Sequence, residues 1–140
     1  MRKTALYILT IAIVLLTGSC DSKWDENGDL DGMWQMTEWR DKATNNVVKT
    51  NADSLYYCFQ LKLMKIQNTS KSPYYFSYFT HSGDELKVGK TYQYPDDKEV
   101  PLTDLSAYGV PTDGRFHIDV LNNKNMVLSS TTSTLSFRKY

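Results

Sequence analysis

The side chains able to do acid–base, nucleophilic or metal chemistry are few and scattered through this 140-residue chain. It has two histidines, His81 and His117, and neither has a partner at a metal-ligand spacing such as His-x-x-x-His. His117 and Asp119 are two residues apart and share one face if the segment is a strand, a spacing that is also ordinary for a solvated face. The acid pairs Asp84-Glu85 and Asp96-Asp97 fall in turn-like contexts, where carboxylates are solvated rather than tuned as an acid and a base. Asp25, Asn27 and Asp29 have the spacing of the first ligands of a calcium loop, but the glycine and the later ligands are out of place. No Gly-x-Ser-x-Gly elbow, phosphate loop or dinucleotide fingerprint occurs. These residues point to a protein that is not an enzyme and that needs neither metal nor cofactor.

The two cysteines have different surroundings. Cys58 lies within Leu55-Tyr56-Tyr57-Cys58-Phe59, an apolar run in which a buried, inert thiol is expected. Cys20 follows a short basic start, Arg2-Lys3, an apolar stretch from Ala5 to Leu16, and the small residues Thr17, Gly18 and Ser19. That apolar stretch is too short to span a bilayer as a mature helix. The arrangement resembles a bacterial lipoprotein signal, in which cleavage falls just before a diacylated cysteine. The Ser19-Cys20-Asp21 junction is similar to that of Bacteroidetes lipoproteins. The resemblance implies lipidation at Cys20 and anchoring by acyl chains to the outer membrane, facing the periplasm or the cell surface. Two or more chains give stable anchoring where one does not.

Overall charge then changes meaning. The full chain carries 16 basic and 16 acidic residues. Loss of Arg2 and Lys3 with residues 1–19 leaves 14 basic against 16 acidic, about −2. No basic face remains for nucleic acid, which is excluded as a partner. Asp21, Asp25, Glu26, Asp29 and Asp31 crowd the region after Cys20, so residues 20–30 read as an acidic, solvated tether. This acidic stretch resembles the export signal of some surface lipoproteins of Bacteroidetes, and it also suits a plain spacer. Residues 31–140 form the remaining domain.

That domain carries almost no helical periodicity. Short β-branched and aromatic runs alternate with Gly, Pro, Asn and Asp clusters. The spacing predicts strands over Gly32–Arg40, Leu55–Gln67, Tyr74–Thr80, Glu85–Val88, Thr91–Tyr94, Phe116–Leu121, Met126–Thr131 and Thr134–Lys139, with a further short pairing near Val47–Thr50. Leu55, Tyr57, Phe59, Leu61 and Leu63 would share one face of their strand. Phe116, Ile118 and Val120 would share one face of another, as would Leu135 and Phe137. One apolar face per strand suits an antiparallel sheet covering a core. About eight such strands predict an all-β, antiparallel up-and-down barrel, with an open β-sandwich as the alternative.

Asp31-Gly32-Met33-Trp34, at the first strand, matches the Gly-x-Trp signature of lipocalins. The ending, from Phe116-His117-Ile118-Asp119 to Phe137-Arg138-Lys139-Tyr140, is similar to that of small lipocalin-like lipoproteins of Bacteroidetes. The resemblance implies a tryptophan packed across one end of the barrel and a late-strand arginine stacked on it, here Trp34 and Arg138, with Arg115 as the second choice. It also implies binding of a small apolar or amphipathic ligand. Pocket walls are expected from Tyr57, Phe59 and Leu61 and from one face of the aromatic run, Phe76 and Tyr78.

The run Tyr74-Tyr75-Phe76-Ser77-Tyr78-Phe79 has more rings than one inward face needs. The surplus face could pack within the chain, meet sugar, or dock on another envelope protein, and such docking is the alternative function. Asp53-Ser54-Leu55 resembles the acceptor triplet of O-glycosylation in Bacteroidetes and marks Ser54 for modification.

Overall fold

The computed structural model describes residues 26–140. The signal residues 1–19, Cys20 and Asp25 lie outside this range.

Ten strands form one antiparallel sheet: β1 Gly32–Asp41, β2 Val47–Lys49, β3 Leu55–Gln60, β4 Leu63–Asn68, β5 Lys71–Ser82, β6 Glu85–Tyr94, β7 Lys98–Val100, β8 Arg115–Leu121, β9 Asn125–Ser129 and β10 Ser133–Lys139. Eight of them run in the order β10-β9-β8-β6-β5-β4-β3-β1, and β1 also pairs with β10, so the hydrogen bonding closes into a ring. β2 extends from β1 and β7 from β6 as short side pairings. The all-β reading therefore holds, and the open-sandwich alternative does not.

The seams of the ring are unequal. β1 and β10 pair from Trp34↔Lys139 to Asp41↔Ser133. β6 and β8 share only Glu85↔His117, Leu86↔Phe116 and Lys87↔Arg115, because the far half of β6 pairs with β7. Gly114 extends this short seam: its carbonyl accepts the Val88 N–H at 2.8 Å. Its φ is +69°, and a Cβ there would lie 2.3 Å from the Val88 oxygen, so only glycine allows the approach.

Bulges and turns explain where the predicted faces fail. The expected strand Leu55–Gln67 is a hairpin, with Leu61 and Lys62 as the two-residue turn and Leu61 at φ +55°. Phe59 pairs with Met64 and Tyr57 with Ile66, so the inward positions change from odd to even across the turn. Leu61 and Leu63 are consequently exposed. Such a turn usually carries Asn-Gly, and that signal is missing here. Glu85–Val88 and Thr91–Tyr94 are one strand, β6, broken in register where Phe79 pairs with Val88 and Ser77 with Thr91. A register shift between Ile118 and Val120 similarly turns Val120 outward. In β1 the shift between Met36 and Glu38 takes the core-facing series from Trp34 and Met36 to Trp39, which packs against the core.

Side chains fill the inside of the ring. Trp34, Met36, Met64, Ile66, Leu86, Met126, Leu128 and Leu135 are fully buried. Aromatic contacts cross the centre, Tyr57 to Phe137 at 4.8 Å and Phe59 to Phe79 at 5.2 Å between ring centroids. An eight-stranded ring is just wide enough for side chains to fill it, as happens here.

Candidate functional site

The ring has two ends. At the base, a 3-10 turn, Gly28–Leu30, inserts Leu30, which is fully buried. The Trp34 indole Nε1–H donates to the Leu30 carbonyl at 2.8 Å. Trp34 thus packs across one end, as the sequence implies. Its cationic partner is Lys139, however, with Nζ 4.8 Å from the ring centroid and donating to the Asp29 carbonyl at 2.8 Å. Arg138 instead donates from Nε to the buried Gln35 at 2.8 Å. Register is the reason: Lys139 is opposite Trp34 and shares its side of the sheet, while Arg138 is opposite Gln35 on the other side. Arg115, the second choice, begins β8 and pairs with Lys87 across the β6 seam.

At the opposite end, here termed the mouth, the segment between β7 and β8 folds inward as a second 3-10 helix, Leu102–Tyr108. Leu105 and Val110 are buried from it into the core. The Tyr57 hydroxyl, deep in the ring, donates to the Tyr108 carbonyl at 2.6 Å, and burial pushes its pKa far above the usual phenol range. The Tyr108 hydroxyl donates to Pro73 at 3.3 Å, and its ring meets Tyr75 edge-on at 5.4 Å. Gly109 ends the helix at φ +87°, and a Cβ there would lie 2.8 Å from Leu135.

Three open clefts surround this plug. One of about 460 Å³ is lined by Trp39, Val48, Thr50, Leu55 and Ala107, with Asp41, Thr44, Asn46 and Asp53 at its polar edge. A cleft of about 390 Å³ shares Asp53, Leu55 and Ala107, and one of about 260 Å³ shares Trp39 and Asp41. In the wall of the first, Thr50 is 2% exposed, and its buried hydroxyl has no hydrogen-bond partner among the described residues. Most buried polar side chains are paired, so an orphan costs about 1–3 kcal/mol until a partner arrives. Asp41 accepts from the N–H groups of Ala43 and Thr44 and from the Thr44 hydroxyl, which hold its carboxyl below the usual range.

The expected pocket walls divide. Tyr57 and Phe59 do point into the ring, but they are packed against other aromatics there. Leu61 sits in a turn near the base. Phe76 and Tyr78 face outward, because Tyr75, Ser77 and Phe79 are the buried positions of β5. Ser77 is inward because its hydroxyl pairs with Thr91 at 2.7 Å, so a polar residue marks the core face and the tyrosines the outer one. Ser54, at φ +54°, belongs to the turn between β2 and β3 at the mouth, and its carbonyl accepts the Thr69 N–H. Trp39 and Thr50, which sequence reasoning did not single out, are the residues the fold brings to the cleft.

His117 and Asp119 do meet, Nδ1 to Oδ1 at 2.8 Å, on an exposed face. Ser129 bonds to Asp119 rather than to the histidine, so no relay from nucleophile to base forms. Burial raises the Cys58 thiol above its usual pKa, the opposite of an activated nucleophile. Among the described residues no three metal-binding side chains converge.

A closed antiparallel ring, a tryptophan-sealed base and a mouth ringed by clefts define a lipocalin-like protein. The family description "Lipocalin-like domain" matches residues 14–140, and the chain belongs to that family. The fold is similar to a lipocalin-like protein from Bacteroides uniformis, with TM-score 0.61 and 22% identity over 81% of this chain and 100% of that one. An uncharacterised protein from Bacteroides eggerthii has TM-score 0.57 and 24% identity, covering 79% and 99% of the two chains. A protein from Burkholderia xenovorans, solved by NMR, has TM-score 0.55 and 14% identity, covering 79% and 82%. No curated protein matches the chain. A lipocalin-like fold suggests small-ligand binding and is typically non-catalytic, and no enzyme family is indicated.

Proposed function

We propose that this chain is a lipid-anchored envelope protein that binds a small apolar or amphipathic molecule, without catalysis, in the cleft at the mouth of its ring. The observation that carries the ligand reading is the open cleft at the mouth, in which Trp39, Val48, Leu55 and Ala107 form an apolar wall and Asp41, Thr44, Asn46 and Asp53 a polar edge, with the Thr50 hydroxyl buried behind that wall. An apolar wall with a polar edge favours a ligand that has an apolar body and a polar or hydrogen-bonding group. The volume suits a small molecule. The filled interior excludes Tyr57 and Phe59 as walls of an open calyx, so the site lies at the rim.

Titration of the full chain with short-chain alcohols and amphiphiles, followed by tryptophan fluorescence, tests this reading. Saturable change that disappears on Trp39→Phe and weakens on Thr50→Val is expected; the absence of any saturable change defeats it. Anchoring rests on the residues around Cys20. Metabolic labelling with palmitate should mark the wild type and not Cys20→Ala, and retention of both label and membrane association by that variant would remove the anchor.

A second reading, docking on another envelope protein, is supported by the outer face of β5 and β6. Tyr74 stacks on Tyr94 at 4.4 Å, Phe76 meets Tyr74 at 5.6 Å, and Tyr78, 53% exposed, approaches Tyr92 at 6.4 Å. Crosslinking in membranes tests it, with loss of one defined partner expected for Tyr78→Glu but not for a charge placed on β8.

A further inference from the structure

Two of the three clefts at the mouth are lined by acidic side chains alone among the charged types. Trp39 and Asp41 line both the cleft of about 460 Å³ and its neighbour of about 260 Å³, and Asp53 stands at the far edge of the first. Among the described residues no lysine or arginine lines either of these two clefts. The basic side chains nearby in sequence are engaged elsewhere. Lys49 pairs with Glu38, Arg40 reaches Asn45 and Glu38, and Lys42 donates to the Ser130 carbonyl. Lys71 lines the adjoining cleft of about 390 Å³, on the far side of Asp53 from Trp39 and Asp41.

Asp41 remains a charge in spite of its bonds. Its three partners all approach Oδ1, and among the described residues Oδ2 makes no hydrogen bond. Asp53 is exposed in the turn leading to β3. The part-buried Trp39 indole supplies the aromatic face that attracts cations best. A tryptophan with two carboxylates and no base in the same cleft is a set that recognises an amine or quaternary ammonium. The same charges repel a carboxylate head group.

We infer that the mouth cleft selects a cationic amphiphile, a short alkyl or ring body on Trp39, Val48 and Leu55 whose ammonium group faces Asp41 and Asp53. This rests on the ligand-binding reading above and adds the sign of the ligand's charge. Fatty-acid anions, the obvious apolar ligands for such a fold, are then the poorer ones.

The test compares three probes of equal chain length, hexyltrimethylammonium, hexanol and hexanoate. They are added to the full chain carrying Trp24→Phe, with the protein in nanodiscs and empty nanodiscs as the blank. Trp34 is buried at the base, so the change in emission reports Trp39. The cation should bind about tenfold more tightly than hexanoate, with hexanol between them, and 0.5 M salt should narrow the gap. Asp41→Asn keeps the Oδ1 acceptor and therefore the turn. Combined with Asp53→Asn, it should bring the cation and hexanol to within about threefold. Equal binding of hexyltrimethylammonium and hexanoate overturns the charge inference and leaves the ligand site standing. Binding of none of the three overturns both. A response to the cation that survives Trp39→Phe overturns the placement.

Discussion

The base and the mouth of this ring are both closed, but by different means. At the base residues 27–31 fold under the ring, and among the described residues no buried side-chain nitrogen or oxygen there lacks a partner. Leu30 accepts from Trp34, Asp29 from Lys139, and Asn27 bonds to Asp31 and to the Leu61 carbonyl. At the mouth a 3-10 helix enters from the side, reaches the core with Leu105 and Val110, and leaves clefts around it and an orphan hydroxyl beside it. A fully satisfied end is structural. An end with open clefts, apolar walls and a polar edge can accept a ligand without losing anything it already has.

The sharpest way to break the contrast is Trp34→Ala. It deletes a fully buried indole and its hydrogen bond to Leu30, and should cost about 3–5 kcal/mol in urea unfolding. If the loss were under 1 kcal/mol, the base would not be the structural end. Leu105→Ala, at the mouth, should cost about 2–4 kcal/mol and should also open space under the plug. Increased binding of a hydrophobic dye to the folded protein is expected, whereas the tryptophan variant should show it only on unfolding.

Thr50→Val has the opposite sign. Replacing an unpartnered buried hydroxyl by a methyl of similar shape should stabilise the free protein by about 1 kcal/mol while weakening ligand. Destabilisation by as much would show that the hydroxyl has a partner. Lys139→Met, back at the base, removes the cation over Trp34 and the bond to Asp29 and should cost about 0.5–1 kcal/mol, read as a small fall in Tm.

The smallest effect is on pH. Asp41 is held below the ordinary carboxylate range by the Thr44 and Ala43 hydrogen bonds, and Glu38 by Lys49. A carboxyl with a depressed folded pKa contributes stability above its unfolded value and loses it as pH falls through the folded one. Both groups lie toward the mouth half of β1. Acid below about pH 4 should therefore loosen this end first, with hydrogen exchange rising in the turn at residues 41–47 before the base. Asp41→Asn should flatten that dependence.

Much of the frame was legible in the residues. Strand content, the start at Gly32, the tryptophan at one end and the inward run Leu55, Tyr57 and Phe59 all follow from alternation and short motifs, which are local properties. What failed did so at points of parity. Leu61 supplies a hairpin turn without the usual Asn-Gly, and three register shifts move Trp39, Thr91 and Leu121 onto faces that simple alternation denies them. A single extra residue reverses every side chain beyond it, and no composition rule reports it. Phe76 and Tyr78 were misplaced for a different reason, since β5 alternates without a break. Ser77 and Thr91 satisfy each other inside, so hydrophobicity alone picked the wrong face of β5.

The sequence by itself determined that this is an all-β domain of the lipocalin kind, preceded by a basic start, an apolar stretch and Cys20. Charge balance and period-two patterning need no partner strand to be read. Only the tertiary structure decided that Lys139 rather than Arg138 covers Trp34, that the interior is filled, and that Trp39, Asp41 and Thr50 meet at the mouth. Those outcomes depend on register and ring closure, which set neighbours between residues about a hundred positions apart, such as Gln35 and Arg138.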